Sequence, residues 1–148
     1  METSDFLQAD DIFKVIRVPF AVSAGKETDD EIEEFIGTNS AGRQGRYYRL
    51  AAEKFRLVVN LNNRSSLTEQ GRYFIALQDD RSRIDFFANT MREIEVFSQA
   101  IQFLEGSNPR PSVSNLKDWF IGNYPGSSNT AERRFGTFMK YLSATGFI

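Results

Sequence analysis

Residues 57–68, "LVVNLNNRSSLT", narrow the fold more than any other stretch. Two short β-type runs meet at Asn62-Asn63, a dipeptide that tolerates the left-handed backbone of a tight turn. The expectation is a hairpin with Arg64 at or near its tip. Both flanks read as helix. From about Arg43 to Val58, the residues Tyr47, Leu50, Ala51, Phe55 and Val58 fall on one apolar stripe. Gly45, Arg49, Ala52 and Arg56 then occupy the opposite face, with Arg46 and Glu53 beside them. Lys54 projects on the apolar side, where its stem is expected to snorkel. After the hairpin, Thr68 is positioned to cap a helix that begins at "TEQGRYFIAL".

The remainder of the chain is patterned for helices. Residues 9–17 predict a short helix ending before Pro19, and Thr28 with Glu31 forms a capping box for a second helix closing at Gly37. "TNSAG", residues 38–42, reads as a turn. Ile84, Phe87, Met91, Ile94, Phe97, Ile101 and Leu104 are spaced by threes and fours, which predicts one long helix over about 80–104. "EGSNPRPS", residues 105–112, is a linker or turn. Beyond it a helix over 112–121 directs Val113, Leu116, Trp119 and Phe120 inward. Asn129, with Glu132, is the expected cap of the last helix, which buries Ala131, Phe135, Phe138, Met139 and Leu142.

Phe-Ile-Gly occurs twice, at residues 35–37 and 120–122. Each copy is followed by a turn and then a helix with a polar, basic outward stripe. Helix, turn, basic-faced helix and hairpin is the order of a winged helix, whose second helix enters the major groove while the hairpin lies along the backbone. The expected class is therefore mainly α with a short β-hairpin wing, an α+β fold of two tandem winged-helix modules. Residues 1–78 make the first with its N-terminal arm, 79–104 the connecting helix and 105–148 the second. The second is expected to stop at Ile148, before its wing.

The absence of cysteine and histidine among the 148 residues excludes disulfides, the usual zinc sites and imidazole general bases. No segment is apolar enough to predict a membrane span or signal peptide, so a cytoplasmic protein is expected. Charge is uneven. Residues 1–39 hold ten acids and three bases, whereas residues 40–92 hold ten bases and five acids. Such a patch can attract a polyanion although the whole chain is net −2, because distant acids are screened beyond roughly 8 Å at physiological salt.

Arginine matches guanine O6 and N7, glutamine matches adenine N6 and N7, and both also hold phosphates. The candidates in the first unit are Arg43, Gln44, Arg46 and Arg49, with Ser40 for a phosphate and Arg64 and Ser65 on the wing. Of the adjacent tyrosines, Tyr47 is assigned to the core and Tyr48 to base stacking. The second unit offers Ser128, Asn129, Thr130, Arg133, Arg134, Thr137 and Lys140. The common nuclease core needs an acid two residues before a lysine, but those positions hold Ile12, Ala24, Ala52, Asn115 and Phe138. Catalysis on this chain is not expected. The acidic run "ETDDEIEE" reads as capping and a solvated face, and "AGKET" lacks the first glycine of a phosphate loop.

Arg43, Gln44, Tyr47 and Tyr48, followed by Leu67, Thr68 and Gly71, and later Thr130, Ala131, Arg133 and Arg134, form a pattern. It resembles the tandem winged-helix recognition region at the N-terminal end of certain type II restriction endonucleases. Related modules accompany other restriction components. The resemblance spans nearly the whole chain and implies sequence-specific binding of double-stranded DNA. No cofactor is implied on this chain; Mg2+ would belong to a separate cleavage domain or nuclease subunit. The family's cleavage domain and second wing have no counterpart here, which leaves an excised segment and a standalone partner of a nuclease both open. The rival expectation is a winged-helix adaptor that binds protein and not DNA. Neither reading involves a membrane or a small-molecule substrate.

Overall fold

Short-range capping sets most helix starts. In the computed structural model, which describes residues 1–38 and 43–148, the Asp11 carboxylate accepts from Phe13 N at 3.0 Å and opens α1, Ile12–Ser23. Helix α2, Asp29–Ile36, carries the expected Thr28/Glu31 capping box and closes on Gly37 at φ 80°. Helix α3, Arg43–Lys54, closes with Arg56 at φ 66° and a 2.9 Å bond from Leu57 N to Ala52 O.

Strands β1, Val58–Leu61, and β2, Arg64–Leu67, pair antiparallel with Leu61 opposite Arg64. Asn62 and Asn63 form the turn, both at positive φ. Thr68 caps α4, Glu69–Ala76, by accepting from Gly71 N at 2.9 Å, and its hydroxyl donates to Arg56 O. Four helices follow: α5, Asp80–Met91; α6, Glu95–Glu105; α7, Val113–Asn123; and α8, Ser128–Ala144. Among the described residues the protein is thus mainly helical, with one small two-stranded antiparallel sheet.

Four local expectations are corrected. Helix α1 runs through Pro19. Proline inside a helix costs about 3 kcal/mol by removing a hydrogen bond and crowding the carbonyl four residues back. Burial of Ile12, Val15, Ile16, Val18 and Val22 offsets that cost. The single helix expected over 80–104 is two helices. Glu93 N and Ile94 N bond to carbonyls three residues back, Thr90 and Met91, and Ile94 turns extended before α6 begins. The break keeps the spacing of the apolar stripe while letting both halves reach Phe55. Ser127, not Asn129, caps α8 by accepting from Thr130 N at 3.3 Å. Val113, expected inward, lies in the first turn of α7 and is 56% exposed, while Trp119 is half-buried and stacks on Phe103.

Phe55 is the hinge of the packing. Its ring lies 4.4 Å from Phe87, 5.8 Å from Tyr141 and 6.2 Å from Phe97, so α5, α6 and α8 meet at the end of α3. Helices α1, α2 and α3 pack mutually, and α8 returns to the start of the chain through a 2.7 Å bond from the Tyr141 hydroxyl to Ala9 O. The elements before and after the hairpin therefore share one apolar core. Buried Arg83 donates to the carbonyls of Phe74, Ile75 and Leu77, closing α4 beneath the Phe20 ring. Among the described residues no helix is long and apolar enough to cross a membrane.

Candidate functional site

The buried face of α3 is turned by about one residue from the stripe expected in the sequence. Gly45, Tyr48, Ala51, Ala52 and Phe55 face inward, while Leu50 is 38% exposed. The reason is close packing against α2: a methyl group on Gly45 would lie 2.1 Å from Asp29 O, so only glycine permits this approach. Gly45, expected on the outward face, is the small residue on which the two helices meet, and Ala52, also expected outward, is fully buried.

This rotation exchanges the roles of the two tyrosines. Tyr48 is buried, accepts from Asp11 N at 3.2 Å and donates to Asp10 Oδ1 at 3.4 Å, so it is not available to stack on a base. Burial, with the neighbouring carboxylates of Asp10 and Asp11, pushes its hydroxyl up to about 12. Tyr47 is the half-buried residue whose hydroxyl is reachable, and it accepts from Arg43 Nε at 3.4 Å. That bond is the main influence holding the Tyr47 hydroxyl below its ordinary value, and the charges of Arg43, Arg134 and Arg46 act in the same direction.

Arg49 is likewise corrected as an outward-facing reader. Its guanidinium makes a two-pronged bond to Asp29 at 2.9 and 3.0 Å and a third bond to Glu53 at 3.0 Å, with the side chain 12% exposed. These bonds take three of the five N–H donors and fix the guanidinium on carboxylates of α2 and α3. Gln44 is half-buried. Ser40 lies outside the described residues, as does most of the 38–42 turn.

On the hairpin, Arg64 is 69% exposed at the side chain and pairs with Glu27 at 3.2 Å. Ser65, expected to contact a phosphate backbone, is 2% exposed; its N–H donates to Glu27 O at 2.8 Å and its hydroxyl accepts from Asn60. In α8, Ser128, Asn129 and Arg133 are exposed in the first turns, with Thr130 and Arg134 half-buried beside them. Thr137 is corrected: it is buried, because the inward face also includes Ala131, Phe138 and Tyr141. Lys140 is exposed but lies at the far end of α8, paired with Asp10 at 3.0 Å.

Five residues from α3 and α8 converge. Arg46 and Tyr47 of α3, with Thr130 and Arg134 of α8, line a cleft of about 1040 Å³, and Arg43 reaches it through Tyr47. Its other wall is the N-terminal arm, anchored by Phe6 packed edge-on against Phe120 and Tyr124. Among the described residues, Arg43, Arg46, Arg133 and Arg134 form no ion pair. By contrast Arg49, Lys54, Arg56, Arg64 and Lys140 are each matched with a carboxylate. The sequence reading missed the arm and Leu50 as parts of this site. Nothing in their spacing signals it, since the arm is held at the cleft by long-range contacts, Phe6 on Phe120 and Tyr124 and Asp5 with Lys54 at 3.2 Å.

The acidic run is accounted for locally: Thr28 holds the Glu31 carboxyl below its usual range, Asp29 binds Arg49 and Glu27 binds Arg64. Among the described residues no group of three or more carboxylates is arranged to hold a metal ion. No protein-family model, curated protein or solved structure matches the chain.

Proposed function

We propose that residues 1–78 form a winged-helix module, with its N-terminal arm, that binds double-stranded DNA. Its recognition helix is α3, its wing is the β1–β2 hairpin, and the start of α8 adds a second set of arginines. Three mutually packed helices followed by an antiparallel hairpin support this reading. The hairpin is also tied back to the segment entering α2 through Ser65 N and Glu27 O, which holds a projecting two-stranded element that would be marginal alone.

One observation carries the reading: Arg43, Arg46 and Arg134 are brought around Tyr47 without carboxylate partners among the described residues, although the chain as a whole is acidic. Uncompensated like charges clustered on a surface are suited to an anionic partner, and a polyphosphate backbone is such a partner. Recognition within a restriction system rests on the motif pattern alone. It takes cleavage, and the Mg2+ for it, from a separate domain or subunit.

Selection of duplexes from a random-sequence pool at two salt concentrations tests the reading. Recovery of a defined motif is expected, bound more weakly at high salt. Replacing Arg46 and Arg134 together by alanine is expected to reduce the salt slope by about 2, roughly one per lost phosphate contact. Unchanged affinity and slope in that variant would remove the assignment. The adaptor reading is favoured by the outer face of β1, where Val59 and Leu61 are 46% and 74% exposed. It requires no duplex binding at moderate salt and a hydrodynamic size larger than one chain.

A further inference from the structure

The cleft that gathers the arginines is amphiphilic. Arg46, Tyr47, Thr130 and Arg134 supply cations and hydroxyls, while Leu7, Leu50 and Ile94 supply apolar surface. A phosphate backbone alone has no use for an apolar floor. Paired bases present only their edges, and their faces become available when a nucleotide leaves the stack. At about 1040 Å³ the cleft has the scale of a small-ligand site, which spans roughly 300 to 1,000 Å³.

Charge along the cleft is polarised. From Arg46 to Lys54, α3 advances about 12 Å. At the Lys54 end the cations are neutralised, Lys54 by Asp5 at 3.2 Å and Arg56 by Glu93 at 2.6 Å. At the Arg46 end, Arg46 and Arg134 have no such partners among the described residues, and both bear on Tyr47. The carboxylates in the lining have partners of their own: Glu53 is held by Arg49, and Glu95 accepts from Gln99 at 3.1 Å. Leu50 lies between the two ends and is exposed, a position that duplex contact alone does not explain.

We infer that this cleft holds an unpaired nucleotide of a DNA strand, with its phosphate on Arg46 and Arg134 and its base against Tyr47, Leu50 and Ile94. The inference rests on the DNA-binding reading and deepens it. Sequence-tolerant single-strand sites combine the same parts, a cationic track and faces on which bases stack.

Fluorescence anisotropy tests it with a labelled oligothymidylate of about ten nucleotides, a hairpin duplex and thymidine 5′-monophosphate as competitor. Leu50→Gln removes the apolar cleft floor at an exposed position without adding charge beside Arg46, and Arg81→Ala, on exposed α5 surface away from the cleft, is the control. The single strand is expected to bind, and Leu50→Gln to weaken it about tenfold, the loss of one stacked base, with an unchanged thermal melt and a much smaller effect on the duplex. Failure of the single strand to bind, or indifference to Leu50→Gln, while the duplex binds overturns the inference and leaves the duplex reading standing. Competition by the mononucleotide at equal affinity makes the occupant a free nucleotide and overturns the strand assignment. Binding of neither DNA removes both.

Discussion

Replacing Arg49 by alanine separates architecture from recognition. The substitution removes two bonds to Asp29, at 2.9 and 3.0 Å, and one to Glu53 at 3.0 Å. The Glu53 pair spans one helical turn and contributes roughly 0.3–0.5 kcal/mol, as such surface pairs do. The Asp29 bonds are charge-assisted and would contribute up to about 3 kcal/mol if fully buried. Asp29 is 26% exposed, so solvent screening reduces the pair to between about 1 and 2 kcal/mol. The total is about 2 kcal/mol, lost because α2 and α3 are no longer clamped.

With a urea dependence of about 2 kcal/mol per molar, the unfolding midpoint falls by about 1 M. Circular dichroism during a urea titration reads this shift. Duplex affinity and its salt slope, measured well below the midpoint, are expected to stay at the wild-type value. The cycle completed by Asp29→Ala and the double variant should return a coupling of about 1 kcal/mol. An unmoved midpoint together with a reduced salt slope would refute the reasoning, because Arg49 would then be contacting DNA and not Asp29.

Three other perturbations test the packing around the site. Gly45→Ala forces a methyl group against Asp29 O, where it would lie at 2.1 Å, so thermal unfolding should report a loss of about 1–3 kcal/mol or more as α2 and α3 part. Gly136→Ala, in exposed α8 with nothing within 4 Å of the added methyl, should instead raise stability by about 0.5–1 kcal/mol; a lowered melting temperature would disprove the open surface there. Tyr48 has a hydroxyl raised from 10.0 to about 12 in the folded protein, so its contribution is complete below pH 10 and is lost as pH rises through about 12. Ultraviolet titration of the phenolate together with denaturant melts should show stability falling across that window, with a smaller fall in Tyr48→Phe.

The elements that were legible in the sequence are those fixed by neighbours three or four residues apart. The Thr28/Glu31 box, the Thr68 cap, the Asn62-Asn63 turn and the left-handed Gly37 each follow from one short segment bonding to itself. The break in the 80–104 helix was not legible, because Arg92–Ile94 interrupts hydrogen bonding without disturbing the apolar spacing. The facing of α3 was hidden as well. Tyr47, Tyr48, Leu50, Ala51 and Ala52 present apolar surface over most of the helix, so periodicity alone leaves the rotation undetermined. Of the α3 residues in the motif, Tyr48 is buried in the fold and Gln44 is half-buried, while Arg43 and Tyr47 reach the cleft.

The sequence by itself determined a largely helical chain with one hairpin and the concentration of arginine around α3. Those properties depend on local backbone preference and on composition, which are carried by each segment independently. Only the tertiary structure decided which arginines are committed to holding the fold and which remain without a carboxylate. Arg49 is bound by Asp29 from a neighbouring helix, whereas Arg46 and Arg134 are brought to one cleft by the return of α8 across Phe55. Side-chain pairing depends on where distant segments come to rest, and that is set by burying one shared apolar core.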